Sequence, residues 1–282
     1  MWTPLLYMLL IMTLFTGLLV GNWVALILLM EVSLFIFLFL VYEYKVISYS
    51  SPCVKYFFAQ TLGSLLLLSG SMFINSNISV NNFMLMSLVM LGLCFKMGAF
   101  PMHFWVVPVN MEMPYVMLGI LGIPMKVLPL SMLVVVAKFT MLPVITTLLL
   151  FLGVLSMVMG TILGLLNTSI RGILGASTIT HSGWFFFSSM SMDTVKYFCL
   201  YSTTLFFVLY GLSSTMTAMT SISLLALSGL PPFGIFMGKM LILFNMVQMN
   251  MGMVFIVLAL LCSVLSLYYY LKFSFMYYLL IK

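Results

Sequence analysis

The stretch WVALILLMEVSLFIFLFLVY, residues 23–42, is apolar along its length apart from Glu31, Ser33 and the terminal tyrosine. A helix that crosses a membrane needs about 20 apolar residues, because each residue adds about 1.5 Å and the hydrocarbon core is about 30 Å thick. The stretch therefore predicts a transmembrane helix. A charged side chain near the centre of such a helix costs about 2.5–3.5 kcal/mol to insert, so we expect Glu31 to have a function.

The rest of the 282-residue chain has a similar composition. It is 65% hydrophobic with a mean hydropathy of +1.30, and it contains 4 acidic and 10 basic residues. A soluble domain is about 45–50% apolar and about 25% charged, so the chain is predicted to be an integral membrane protein. Strands of a membrane barrel alternate polar and apolar residues over about ten positions. The apolar runs of this chain are instead continuous over about 18–27 residues, which predicts an all-α fold.

Short connections rich in Gly, Asn, Ser and Pro divide the chain into about ten hydrophobic spans. The predicted spans are residues 4–20, 23–42, 54–74, 83–109, 115–137, 142–166, 172–191, 197–217, 222–247 and 252–280. Since no connection exceeds about ten residues, residues 1–282 are predicted to form a single transmembrane helical domain. With the N-terminus inside, the inner connections gather more Lys and Arg than the outer ones, which favours that orientation.

Prolines interrupt three of these spans next to a lysine. The interruptions lie at Pro101, after Lys96; at Pro124, before Lys126; and at Pro231 and Pro232, before Lys239. Proline removes a backbone donor and clashes with the preceding turn, so it kinks or opens a helix. In a membrane an opened turn must be buried in protein or line a wet cavity, and secondary transporters build mid-membrane sites from such broken helices. The first and last interruptions lie in opposite halves of the chain, as an internal structural repeat would predict.

Four ionisable residues lie near the middle of apolar spans, namely Glu31, Lys96, Lys126 and Lys239. Such residues typically mark an ion or proton pathway. Burial disfavours the ammonium form of Lys96 and a nearby carboxylate restores it, so making and breaking a Glu31–Lys96 pair would switch Lys96 between holding and releasing a proton. The alternatives are a neutral Glu31 bonded to a neighbouring helix and a Lys96 that extends to the membrane surface. For Lys126 and Lys239 the alternative is a structural role in binding carbonyls freed by the breaks.

The two histidines are candidate proton relays or packing residues of the core. His103 follows Lys96 by seven residues, which would place both on one side of an intact helix, and His181 follows the polar run 177–180. Neither histidine has a further ligand at metal-binding spacing, and the four cysteines are far apart without a CxxC motif, so no metal site is predicted. No nucleotide-binding, haem-binding or cluster-binding motif predicts a cofactor in this chain. The singly scattered charges form no basic cluster, which excludes nucleic acid as a partner.

Four motifs occur in a characteristic order. They are KYFFAQ at 55–60, KMGAFPMHFW at 96–105, STITHSGW at 177–184 and GLPPFGIFMGK at 229–239, with Glu31 upstream and LYYYL at 267–271 downstream. In this order they resemble the chain 2 family of NADH:ubiquinone oxidoreductase, the mitochondrially encoded antiporter-like membrane subunits of respiratory complex I. The resemblance extends over nearly the whole chain.

The resemblance implies an antiporter-like helical bundle with inverted-repeat character. It implies a core subunit of a proton-translocating NADH:ubiquinone reductase that has no redox centre of its own, with NADH, FMN, iron–sulfur clusters and ubiquinone held by partner subunits. The subunit is expected to lie in the inner mitochondrial membrane with its N-terminus on the matrix side. Its expected partners are neighbouring antiporter-like subunits and membrane lipids. The family's proposed proton path falls on Glu31, Lys96, Lys126 and Lys239. Two other hypotheses are a free-standing cation/proton antiporter and a structural subunit that does not pump.

Overall fold

The computed structural model describes residues 2–75, 82–139 and 143–279. Regular structure within these ranges is helical, so the predicted all-α fold is confirmed. The helices are α1 (Thr3–Leu19), α2 (Trp23–Tyr42), α3 (Ser50–Asn75), α4 (Asn82–Met97), α5 (Val106–Glu112), α6 (Tyr115–Gly122), α7 (Pro124–Phe139), α8 (Pro143–Leu166), α9 (Ile170–Met190), α10 (Thr194–Ser213), α11 (Thr217–Ser228), α12 (Gly234–Gln248) and α13 (Met253–Leu279). A short 3₁₀ helix, Ile47–Tyr49, precedes α3.

The helices follow the predicted spans, and each span with a proline interruption contains two helices instead of one. Pro101 lies between α4 and α5, Pro231 and Pro232 lie between α11 and α12, and Pro124 begins α7 directly after the end of α6. The sequence placed the start of the third span a few residues too late, because α3 already begins at Ser50. Pro52 is compatible with this earlier start, since a proline in the first turn of a helix removes no intrahelical hydrogen bond.

Several described helices are suited to a membrane by length and composition. Five stretches are long and apolar enough to cross it: Trp23–Tyr42, Tyr115–Lys138, Ile145–Leu166, Thr194–Ser213 and Met253–Leu279. Shorter apolar helices include Thr217–Ser228 and Gly234–Gln248, the two halves of one interrupted span. The outer faces of the bundle carry large exposed apolar side chains, such as Phe39, Phe151 and Phe206, which is expected of a surface in contact with lipid tails or neighbouring subunits.

Helix α9 lies at the centre of the bundle. Every side chain from Gly172 to Met190 is buried, and the helix packs against α5, α7, α8, α10 and α12. Its N-terminus is capped by Ser169, whose hydroxyl accepts a hydrogen bond from the backbone N–H of Gly172. Because α9 carries the polar run that precedes His181, its position brings polar groups into the middle of an apolar bundle.

Glycines allow α8 to approach α9 until their backbones nearly touch. A Cβ atom at Gly160 would lie 2.6 Å from Thr180 Cγ2 and 2.7 Å from the Thr180 backbone nitrogen. A Cβ atom at Gly183 would lie 2.5 Å from the carbonyl oxygen of Gly153. Small residues at such contacts are typical of membrane helices, which associate mainly through van der Waals packing.

Candidate functional site

Lys96 lies in the last turn of α4, immediately before the first helix break, and pairs with Glu31 of α2. Its Nζ atom is 2.9 Å from Glu31 Oε1, and the side chains of the lysine and the glutamate are 3% and 21% exposed. At this end of α4 the backbone carbonyl of Phe95 accepts hydrogen bonds from the backbone N–H of Gly98 at 3.3 Å and from Trp105 Nε1 at 3.2 Å. The opened turn therefore has a polar partner from beyond the break, as a buried interruption requires.

His103 lies inside this first break, in the connection between α4 and α5. An intact helix would place it on the same side as Lys96, but α4 ends at Met97, so the two residues do not share one helix. The imidazole is buried, with ring centroids 6.0 Å from Phe100 and 4.5 Å from Phe104. Its Nδ1 atom has no hydrogen-bond partner within the described ranges.

Lys126 lies in the first turns of α7, directly after the second break, and its side chain is buried. Its Nζ donates to the carbonyl oxygen of Thr178 at 3.4 Å and lies 5.4 Å from the ring centre of Tyr201 and 5.8 Å from that of Phe185. Thr178 belongs to the interior of α9, so this carbonyl is not one that the break has freed. The ion pairs found in the described part of the chain do not include Lys126.

Lys239 lies on α12, after the third break, and is also buried. Its Nζ donates at 2.9 Å to the carbonyl oxygen of Ser228, the last residue of α11, and lies 5.5 Å from the ring centre of Trp184. This carbonyl is one of those that the end of α11 leaves without an intrahelical partner, so Lys239 binds the freed backbone directly. Like Lys126, Lys239 forms no ion pair with a carboxylate among the described residues.

His181 connects the surroundings of the last two lysines. Its Nδ1 atom is 2.8 Å from the hydroxyl oxygen of Tyr197, and its ring centroid is 4.8 Å from that of Tyr201. Electrostatic interactions link the imidazole to both Lys239 and Lys126. A neutral imidazole can donate from one ring nitrogen and accept at the other, so His181 can pass a proton between groups on its two sides.

The remaining described ion pairs differ from the Glu31–Lys96 pair in their position. Lys55 and Glu112 are 3.3 Å apart with both side chains well exposed, and Lys196 pairs at 2.8 Å with Asp193 at the start of α10. A hydrogen bond from Ser51, together with Lys55, lowers the pKa of Glu112. Because exposed pairs typically contribute only about 0–1 kcal/mol, we assign Lys55 and Glu112 to the surface. In the other pair only Lys196 is exposed, since the Asp193 side chain is 8% exposed.

The sequence did not indicate the buried aromatic groups of this site. Tyr197, Tyr201 and Trp184 contact the lysines or His181, and Tyr269 and Tyr270 pack nearby from α13. Because 15% of the residues are aromatic, the sequence alone does not distinguish a tyrosine of the site from one that only fills the core. The available signal was the unusual run of three tyrosines at 268–270.

The arrangement as a whole offers sites that can hold a proton. In the described residues, no cluster of three or more His, Cys, Asp or Glu side chains could hold a metal ion. Three buried amines occur near the helix breaks, one with a carboxylate partner and two bonded to backbone carbonyls. Each can bind and release one proton, and burial makes its charge sensitive to any movement of its partner.

The sequence is similar to a well-represented family. A family model described as "NADH:quinone oxidoreductase/Mrp antiporter, TM" matches residues 20–224. Among curated proteins, NADH-ubiquinone oxidoreductase chain 2 of Albinaria caerulea is 36% identical over 264 residues, covering 93% of this chain and 84% of the relative. The protein of the same name from Lumbricus terrestris is 32% identical over 275 residues, covering 89% of this chain and 79% of the relative.

Solved structures share the fold. A chain of respiratory complex I from Thermus thermophilus superposes with a TM-score of 0.81 at 21% identity, covering 95% of this chain and 69% of that one. A chain of the Mrp complex from a Dietzia species superposes with a TM-score of 0.76 at 16% identity, covering 95% of this chain and 59% of that one. At these identities the likeness concerns the fold alone.

Proposed function

The chain belongs to the NADH-ubiquinone oxidoreductase chain 2 family of antiporter-like membrane subunits, and on this basis we propose that it takes part in proton translocation across the inner mitochondrial membrane. The energy comes from electron transfer from NADH to ubiquinone, which takes place in partner subunits of complex I. Those partners hold NADH, FMN, iron–sulfur clusters and ubiquinone, and this chain contributes no redox centre. Its N-terminus lies on the matrix side, and its neighbours are other antiporter-like subunits and membrane lipids.

The observation that carries this proposal is the placement of three buried lysines next to helix breaks. Lys96, Lys126 and Lys239 are each less than one tenth exposed, and each lies within a few residues of a break. Isolated charges in the middle of a membrane bundle are costly, so a purely structural bundle would be expected to avoid them. A proton pathway needs groups of this kind, held away from bulk water and able to change charge.

In the proposed mechanism, the Glu31–Lys96 pair is the switch. While the pair is closed, the carboxylate stabilises the ammonium group of Lys96, which keeps its proton. A conformational or electrostatic change that reaches this subunit from its partners opens the pair, and the unpaired ammonium then loses its stabilisation. The proton passes to Lys126, and His181 with Tyr197 transfers protons between Lys126 and Lys239. Lys239 then exchanges protons towards the far half of the subunit.

The proposal is tested by replacing Lys96 or Lys239 with methionine in the assembled complex. We expect NADH-driven acidification, measured by dye quenching in sealed vesicles, to fall in both variants, because methionine retains the apolar stem but cannot bind a proton. Positioned proton-transfer groups typically contribute about 10²–10⁴-fold in rate, so the loss should be large. Lys138→Met is the matched control, since Lys138 is exposed near the end of α7. Normal pumping in both buried-lysine variants would refute the mechanism.

Two rival functions make different predictions for the same preparation. A free-standing cation/proton antiporter would migrate in blue-native electrophoresis as a small band without NADH-oxidising subunits, whereas a subunit of complex I would migrate with NADH dehydrogenase activity in a very large band. If the chain were a structural subunit that does not pump, replacing a buried lysine would prevent assembly of the complex. No lysine variant would then assemble normally and lose proton pumping. Mass spectrometry of the bands identifies where this chain migrates.

A substitution at Gly229 tests whether the geometry of the third break is needed for proton pumping. Gly229 ends α11 with a φ of +81°, and an added Cβ atom would lie 3.0 Å from Lys239 Nζ. Gly229→Ala is therefore expected to destabilise the bundle by about 1–3 kcal/mol and to displace the ammonium group from the Ser228 carbonyl. We expect proton pumping to fall while NADH oxidation by the complex continues. Gly21→Ala, which has no atom within 4 Å of the added Cβ, is the control; equal pumping in the two variants would contradict the prediction.

A further inference from the structure

Asp193, immediately before α10, carries a buried carboxylate that the proposed proton path does not use. Its side chain is 8% exposed, and each of its two oxygen atoms has a partner. Oδ1 accepts a hydrogen bond from Lys196 Nζ at 2.8 Å, and Oδ2 accepts one from the side-chain amide of Asn245. Asn245 belongs to α12, the helix that carries Lys239. Because a buried carboxylate needs such partners, its bond to Asn245 joins the beginning of α10 to the last turns of α12.

The bond between Asp193 and Asn245 lies at one end of the contact between α10 and α12. The facing positions of the two helices form three pairs, which are Gly234 with Leu200, Gly238 with Tyr197, and Asn245 with Asp193. Spacings of four and seven residues place the three members of α12 on one face of that helix. Their partners follow in reverse order along α10, as antiparallel helices require. The bond therefore belongs to a continuous helix–helix contact.

The two ends of this contact differ in chemistry. Near the third break, Gly234 and Gly238 lie so close to α10 that an added Cβ atom would be 3.0–3.1 Å from the facing side chains. Such close apolar packing has no directional bond that would fix how far one helix slides along the other. A hydrogen bond to a carboxylate is directional and stronger than one between neutral groups. The Asp193–Asn245 bond therefore fixes the register of α12 on α10.

The register of α12 determines where Lys239 lies. Lys239 follows Gly238 directly and precedes Asn245 by six residues, a rise of about 9 Å along the helix. Its Nζ atom is 2.9 Å from the Ser228 carbonyl oxygen of α11, across the break. A shift of α12 along α10 by one ångström would thus be enough to bring this contact beyond good hydrogen-bond distance.

We propose that Asp193 and Asn245 are positioning residues for Lys239, because their bond locks α12 onto α10. While the bond is intact, the ammonium group of Lys239 stays at the Ser228 carbonyl. Without it, α12 slides along its glycine contact and the ammonium group leaves that carbonyl. The inference rests on the proposed function, since it concerns how one lysine of the proton path is held in place.

The first test is Asn245→Leu in the assembled complex. Leucine is similar in size but cannot donate to Asp193, so we expect proton pumping to fall at least about tenfold while NADH oxidation continues. A misplacement of about 1 Å in a positioned group can cost about 10²-fold in rate. Gln248→Leu is the matched control, because it replaces an exposed amide at the end of the same helix. Full pumping by Asn245→Leu would overturn the proposal.

The second test exchanges the two groups of the bond. Asn245→Asp alone places two carboxylates against each other, and we expect pumping to fall as it does in Asn245→Leu. Combining it with Asp193→Asn restores one carboxylate and one amide, so most of the pumping should return. A general loss of packing would not be repaired by this exchange. A double variant that pumps no better than Asn245→Asp alone would contradict the proposed lock.

The third test separates this inference from the proposed function. If the lock acts through Lys239, adding Asn245→Leu to Lys239→Met should cause no further loss of pumping, since coupled residues are not additive. A further severalfold loss would show that the lock acts elsewhere. If Lys239→Met loses pumping and Asn245→Leu keeps it, only the inference fails. Normal pumping by Lys239→Met would instead refute the role of that lysine in the proposed function.

Discussion

Glu31→Gln is expected to destabilise the assembled subunit and to stop its proton movement. Glutamine keeps the size of the side chain but removes the negative charge that lies 2.9 Å from Lys96 Nζ. Removing one partner of a buried ion pair typically costs about 3–5 kcal/mol, and we expect a value at the low end because the Glu31 side chain is 21% exposed. Thermal unfolding of the complex and dye-quenching assays measure the two effects. Glu112→Gln, at the exposed pair with Lys55, should change stability by at most about 1 kcal/mol.

A double variant separates the contribution of the Glu31–Lys96 pair to stability from its contribution to proton transfer. Combining Glu31→Gln with Lys96→Met removes both charges, so no unpaired ammonium group remains, and stability should return close to that of the unmodified chain. Pumping should remain low, because neither residue can then bind a proton. Recovery of pumping together with stability would show that the pair only holds α2 and α4 together. A double variant as unstable as Glu31→Gln alone would contradict the electrostatic explanation itself.

Much of the fold could be predicted because its determinants are local. Long apolar runs specify helices in lipid irrespective of their partners, and a proline next to a lysine marks an interruption without any knowledge of the neighbouring helix. The family resemblance, drawn from four ordered motifs, was confirmed by curated relatives, one of them 36% identical over 93% of the chain. The interruption at Pro101 separates Lys96 from His103, since α4 ends at Met97 and α5 begins only at Val106.

The partners of the buried lysines could not be predicted, because they depend on which helices pack together. Lys126 bonds a carbonyl in the interior of α9, more than fifty residues away, and nothing in its local sequence points to Thr178. The tyrosines escaped notice for a related reason. On a membrane helix, a buried tyrosine and a lipid-facing one have the same neighbours in sequence, and only packing distinguishes Tyr270 from Tyr268.

The arrangement of breaks suggests why one bundle can couple distant charges. At the first and third interruptions a polar side chain donates to a backbone carbonyl near a helix end, Trp105 to Phe95 in one and Lys239 to Ser228 in the other. A short movement of either half-helix would break that bond and change the environment of the adjacent lysine. Helices α8 and α9 are in close contact, and we expect this contact to fix the positions of Thr178 and His181 relative to the lysines.

Gly160→Leu is expected to prevent assembly, because α8 would be forced away from α9. The first atom of the new side chain would lie 2.7 Å from the backbone nitrogen of Thr180 and 3.0 Å from the carbonyl oxygen of Ala176. Backbone atoms in a central helix cannot move aside as a flexible side chain can. Overpacking a core typically costs about 1–3 kcal/mol, and we expect a larger penalty when the obstacle is backbone. The amount of complex in the large blue-native band measures the effect.

A graded series distinguishes packing from a general intolerance of larger residues. Gly21→Leu, at an exposed position without any atom within 4 Å of an added Cβ, should assemble normally. Gly160→Ala should assemble in reduced amount and pump poorly, since a shift of α9 by a few tenths of an ångström displaces the Thr178 carbonyl from Lys126 and His181 from Tyr197. If Gly160→Leu assembled as well as Gly21→Leu, the prediction would be wrong. The close contact between α8 and α9 would then not be needed to position Thr178 and His181.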